Sequence, residues 1–150
     1  MEENKILPLI PRAEEERIAG RLTAWMNTCP GLPAQIERVR YEQMPANTVC
    51  MALDAVQGAY ITKRYILGGH QSEYPFKVIY RHLPDVENQE SDADGLLDRL
   101  GDWAQSQRPQ LGEGVRIVRI ELTQRSAVLA AYDSGYEDHQ ILLKLIYEEI

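Results

Sequence analysis

His70, His82 and His139 are the side chains best suited to proton transfer or metal binding in this 150-residue chain. No two of them lie within four residues of each other, so no single helix turn or strand presents a pair, whereas coordination needs three or four ligands together. Histidines scattered in this way read as surface residues, and no metal centre is expected. Cys29 and Cys50 stand alone, without the paired spacing of a zinc or redox motif. Glu90-Ser91-Asp92-Ala93-Asp94-Gly95 sets acids and a glycine where a calcium loop would want them, but Gly101 stands where that loop requires its bidentate Glu. Those acids suit the start of a helix instead, with Ser91 or Asp92 as the cap.

The sequence contains no GxSxG, Walker or GxGxxG pattern, so a nucleophile elbow and a phosphate cradle both lack a foothold. Among 23 carboxylates no acid–base pair stands out. The expectation is a non-enzymatic protein without a cofactor.

The densest cluster of distinctive residues is AYITKRYILGGHQSEYPFKVIYR, residues 59–81. It reads as a long hairpin. Ile61 to Leu67 is β-branched and aromatic, Gly68-Gly69 permits a tight reversal, and Tyr74, Phe76, Val78 and Tyr80 alternate on the return. The alternating stripe is expected to face the core, and His70 to sit exposed at the tip. Pro75 cannot donate a ladder hydrogen bond and is expected at an edge or a bulge. Lys63 and Arg64, as strand neighbours, point to opposite faces and form no single basic patch. Arg116 and Arg119 of VRIVRI are likewise expected on opposite sides.

Composition bounds the rest. Net charge is −7, against the net positive charge by which nucleic-acid binders neutralise phosphates. No stretch approaches the roughly 20 apolar residues of a membrane span. The start, MEENKILPLIPRAEEER, lacks the basic first segment and apolar centre of a secretory signal, which makes a bacterial cytoplasm with reduced thiols the expected setting. The length suits one domain, 1–150, with residues 1–10 as a flexible N-terminal arm.

Pro11 sits where a first-turn proline would, and Glu14, Glu15 and Glu16 complement a helix dipole. Ile18, Leu22, Trp25 and Met26 form one apolar helical face, stopped by Cys29-Pro30-Gly31-Leu32-Pro33. RVRYEQM and TVCMALDA read as strands flanking the turn-prone Pro45-Ala46-Asn47. A second helix presents Leu96, Leu97, Leu100, Trp103 and Ala104, and ends before Pro109. VRIVRIEL (115–122) and QILLKLIYEE (140–149) read as strands, while the Ala-rich run between them is ambiguous between strand and other structure. The predicted fold class is α+β, a mostly antiparallel sheet with two flanking helices and a long hairpin, in the order α-ββββ-α-ββ.

These patterns fall in a recognisable order: WMNTCPGL with Cys29, Pro30 and Leu32; then Ile61, Lys63, Arg64, Tyr65 and Gly68; then Asp102-Trp103; then Leu143, Leu145 and Tyr147. The combination, over roughly residues 18 to 148, resembles the small minor capsid proteins of long-tailed bacteriophages and prophages, a tail-terminator-like family. Leu143 stands where that family's pattern has a Cys, and the leader before residue 18 is longer than the pattern. The resemblance implies a structural virion protein at the head–tail junction. It would form a homo-oligomeric ring, commonly of six copies, that caps the tail tube and meets the head connector. Lys63, Arg64, Gly68, Gly69 and His70 are then the candidate interface, toward a neighbouring subunit or the tube. A head-completion (stopper) protein at the same junction, a small enzyme or ligand-binding domain, and an adaptor or immunity-type module are the competing readings.

Overall fold

The structure, a computed structural model, describes residues 8–33, 36–84 and 89–150, the side chains of 89–92 excepted. Helix α1 is Arg12–Met26. Pro11 stands at its N-cap, one position before the expected first turn, and Glu14 and Glu15 lie in the first turn. Ile18, Ala19, Leu22, Thr23 and Met26 are buried, so the apolar spacing read from the sequence is the core face. Four strands follow: β1 Val39–Tyr41, β2 Cys50–Ala55, β3 Tyr60–Arg64 and β4 His70–His82. Helix α2 is Gln89–Gln105, and β5 Val115–Ala131 and β6 Glu137–Glu149 complete the chain order α-ββββ-α-ββ. Because α2 begins at Gln89, Ser91 and Asp92 lie inside its first turn rather than at the cap.

The fold is α+β. One six-stranded sheet has the order β1-β2-β4-β6-β5, with β3 also paired to β4. All pairings are antiparallel except β1 with β2, which is parallel. The start of β1 is held by the Asn27 side chain. Its amide donates to the Val39 carbonyl at 3.0 Å and accepts from the Val39 N–H at 2.6 Å, fixing β1 against the end of α1. The chain then turns back through Glu42 and Asn47, both with positive φ.

On the helix-covered face of the sheet, Tyr74, Phe76 and Val78 of β4 stand opposite Leu145, Leu143 and Ile141 of β6. These six are buried to within 1% and form the centre of the core with α1 and α2. Burying such a layer is the main driving force of the fold, about 25 cal/mol per Å² of apolar surface removed from water. Pro75 lies in this central strand, not at an edge. Its carbonyl accepts from the Val56 N–H at 3.1 Å, so its nitrogen points to the seam where β2 ends and β3 begins, and the missing donor leaves the β6 ladder intact.

Two other expectations are corrected by register. The strand predicted over Ile61–Leu67 stops at Arg64, three residues earlier, because the turn closes from Tyr65 to Gly69. A bulge between Ile117 and Arg119 puts Arg116 opposite Glu148 and Arg119 opposite Ile146, so both arginines share the uncovered face; one extra residue reverses strand parity. The Ala-rich run continues β5 to Ala131. Among the described residues, the leader is docked at its end: Ile10 donates to the Ala59 carbonyl at 3.0 Å, and Ile61 to that of Pro8 at 2.8 Å. No helix among the described residues is long and apolar enough to cross a membrane.

Candidate assembly interface and the buried histidines

The turn between β3 and β4 is closed by hydrogen bonds from Tyr65 N–H to the Gly69 carbonyl and from Gly68 N–H to the Tyr65 carbonyl, both 3.1 Å. Gly68 (φ +101) and Gly69 (φ +84) occupy the region only glycine enters freely. Gly69 is further required by space, since a Cβ there would come within 2.4 Å of the Glu149 carbonyl oxygen. That geometry projects Ile66 and Leu67 outward, 101% and 99% exposed. They escaped the sequence reading because an Ile-Leu pair in a β-branched run looks like strand interior.

Lys63 and Arg64 are exposed on opposite sides of β3, and the Lys63 ammonium lies 5.8 Å from the Tyr65 ring centroid. The Tyr65 hydroxyl donates to Glu148, which also receives Arg116. These donors, Tyr65 first, hold the Glu148 carboxyl below its usual value. The hairpin tip is thus braced on the uncovered face of β6.

His70 is not part of the exposed tip. It is 9% exposed, with Nδ1 2.6 Å from Ser72 Oγ and Nε2 3.3 Å from Glu14 Oε1. Glu14 also accepts from the Tyr147 hydroxyl at 2.8 Å. Parity explains the burial: His70 starts the β4 residues that face the helices, where it contacts Glu14 of α1.

At the opposite end of the same face, His82 and His139 meet, their ring centroids 4.9 Å apart. This corrects the expectation of scattered surface histidines. His82 pairs in register with Glu137, and His139 follows two residues later on the same face. His139 Nε2 lies 3.1 Å from Glu137 Oε1, and its Nδ1 lies 2.8 Å from Asp94 Oδ1 of α2. Burial pushes the His82 imidazole below its usual pKa, with His139 adding to the effect. No spacing rule could have joined residues 82 and 139; only strand register does.

A second exposed apolar surface lies on β5, the edge strand of the sheet. Val128 and Leu129 are 58% and 44% exposed, and Tyr132, in the turn that follows, is 43% exposed. A long edge with apolar side chains is a ready site for pairing with another chain.

No protein-family model and no curated protein matches the chain. The fold is similar to that of a chain in the virion of a native gene transfer agent particle, with a TM-score of 0.60 and 11% identity. The match covers 87% of this chain and 97% of that one. A second solved structure, 19% identical over 92% of this chain and 95% of its own, has a TM-score of 0.45, too loose a superposition to carry a conclusion.

Proposed function

We propose that the protein is a structural component of a phage-type particle, a tail-terminator-like subunit that forms a ring at the head–tail junction. The observation that carries this reading is the β3–β4 hairpin, a braced arm that holds Ile66 and Leu67 fully in solvent beside Lys63 and Arg64. Apolar side chains held rigidly outward lower the entropy lost when a partner buries them. The edge strand β5 supplies a second, different surface, and a ring needs two unlike patches per subunit. The fold likeness to a virion chain is consistent with the same role. In this reading the protein is not an enzyme. Its partners are further copies of itself, six in a ring, the tail-tube protein and the head connector; it assembles in the bacterial cytoplasm and resides in the virion.

Light scattering over a concentration series, with negative-stain imaging of the same fractions and of fractions mixed with tail tubes, tests it. Closed rings, alone or capping tubes, are expected. The combined substitution Ile66→Ser/Leu67→Ser should abolish them while leaving the monomer folded, and Lys63→Glu/Arg64→Glu should weaken them. Rings that form unchanged in both variants would remove the hairpin from the interface; no ring even on tubes would end the terminator reading.

A further inference from the structure

We propose that His82, Glu137 and His139 form a binding site for one divalent transition-metal ion of the zinc class, completed by solvent. One ligand atom from each of the three residues lies within 4.8 Å of the other two. A tetrahedral ion with bonds of about 2.0–2.1 Å holds its ligand atoms about 3.3 Å apart. His139 Nε2 and Glu137 Oε1 already stand 3.1 Å apart, and His82 Nε2 is 4.0 Å from the same carboxylate oxygen. Only a small inward movement of His82 is needed.

Proton positions make the case stronger. Asp94 accepts at His139 Nδ1, 2.8 Å away, which places the ring proton on that nitrogen. His139 Nε2 then turns a lone pair toward a carboxylate oxygen, two acceptors facing each other at 3.1 Å. Either a proton shared between the two atoms or a metal ion satisfies this contact. His82 separates the two solutions. Its ring is more than nine-tenths buried, and its Nε2 has no hydrogen-bond partner among the described residues. A shared proton leaves that nitrogen idle; a metal ion uses it.

The surroundings suit a metal. Asp94 fixes the His139 ring and is itself held by the Ser126 hydroxyl at 2.7 Å, the outer carboxylate–histidine arrangement common behind metal-bound imidazoles. Two imidazoles and one carboxylate favour zinc and its neighbours over calcium or magnesium, which prefer all-oxygen sites. Glu137 and Asp94 are 30% and 42% exposed, which leaves an entry path and room for water. The ion would clasp the end of β4 to the start of β6 beneath the first turns of α2.

Chelator-treated full-length protein, titrated calorimetrically with zinc chloride and separately followed by the visible absorption of added Co²⁺, tests the site. One equivalent of saturable binding and a tetrahedral cobalt spectrum are expected. His82→Gln and Glu137→Gln should each weaken binding at least tenfold, and Asp94→Asn by about 10–100-fold. His70→Gln, at the other end of the sheet, should leave it unchanged. Glu137→Gln preserves shape at a part-exposed position, so its folding, checked by circular dichroism, keeps the comparison valid. Absence of saturable binding by the parent protein, or equal affinity in His82→Gln and Glu137→Gln, overturns the proposal.

Discussion

Trp25 of α1 and Trp103 of α2 stack with ring centroids 4.9 Å apart and planes 14° apart. The two helices therefore meet through one aromatic pair on the covered face of the sheet. Each ring is partly buried, so truncation of either to Ala should cost roughly 2 kcal/mol, less than the about 3–5 kcal/mol of a fully buried ring. A double-mutant cycle by urea denaturation should return a coupling of about 0.5–1.5 kcal/mol. Simple additivity would mean that the rings touch without stabilising each other.

Gly68 and Gly69 should respond differently to alanine. Both have positive φ, which costs an L-residue about 1–2 kcal/mol. At Gly68 the added methyl meets nothing within 4 Å, whereas at Gly69 it collides with the Glu149 carbonyl. Gly69→Ala should therefore be the more destabilising by at least about 1 kcal/mol. Thermal unfolding of the two variants decides it, and equal losses would show that the β6 end yields freely.

Arg81 and Asp138 form a two-pronged ion pair, Nε to Oδ1 at 2.7 Å and Nη2 to Oδ2 at 2.8 Å. Arg81 also donates to the Met44 and Pro45 carbonyls and to the Tyr132 hydroxyl, tying the β1–β2 and β5–β6 connections to the sheet. Both side chains are largely buried. Arg81→Met strands the Asp138 carboxylate and should cost about 3 kcal/mol. The double variant Arg81→Met/Asp138→Leu should recover much of that loss, measured by guanidinium denaturation. A double variant no better than the single one would assign the cost to the lost turn contacts.

Alkaline pH should expose a group of protected phenols. Burial, then the neighbouring Glu73, pushes Tyr60 up to about 12. Burial raises Tyr74 and Tyr147 further, with Tyr41 and Glu14 respectively next in effect. Unfolded, each ionises near 10.0. Their folded values lie above the unfolded one, so this stability is fully present below pH 10 and is lost as pH rises beyond it. Denaturation at stepped pH should show the decline, and phenolate absorbance should lag in the folded protein, Tyr41 and Tyr65 being raised as well. Tyr147→Phe should flatten the alkaline limb; an unchanged limb would contradict the shift at Tyr147.

Much of the fold is written locally in the chain. The Ile18-Leu22-Met26 spacing marks the core face of α1, and the Tyr74-Phe76-Val78-Tyr80 alternation marks the buried face of β4, because side-chain direction repeats every 3.6 or 2 residues. The double glycine likewise marks the hairpin turn without help from the rest of the molecule. What the tertiary structure decided is everything that depends on which strands lie side by side. β1 lies parallel to β2, with Asn27 holding Val39 at its start; a single bulge turns Arg116 and Arg119 to one face; the seam between β2 and β3 lets Pro75 stand in a central strand. His70 was placed in solvent by its nearness to the turn and is buried by its parity and by Glu14, 56 residues away in sequence. His82 and His139 come together for the same reason: the register of β4 against β6 is set by the hydrophobic layer between them, and no run of neighbouring residues carries that information.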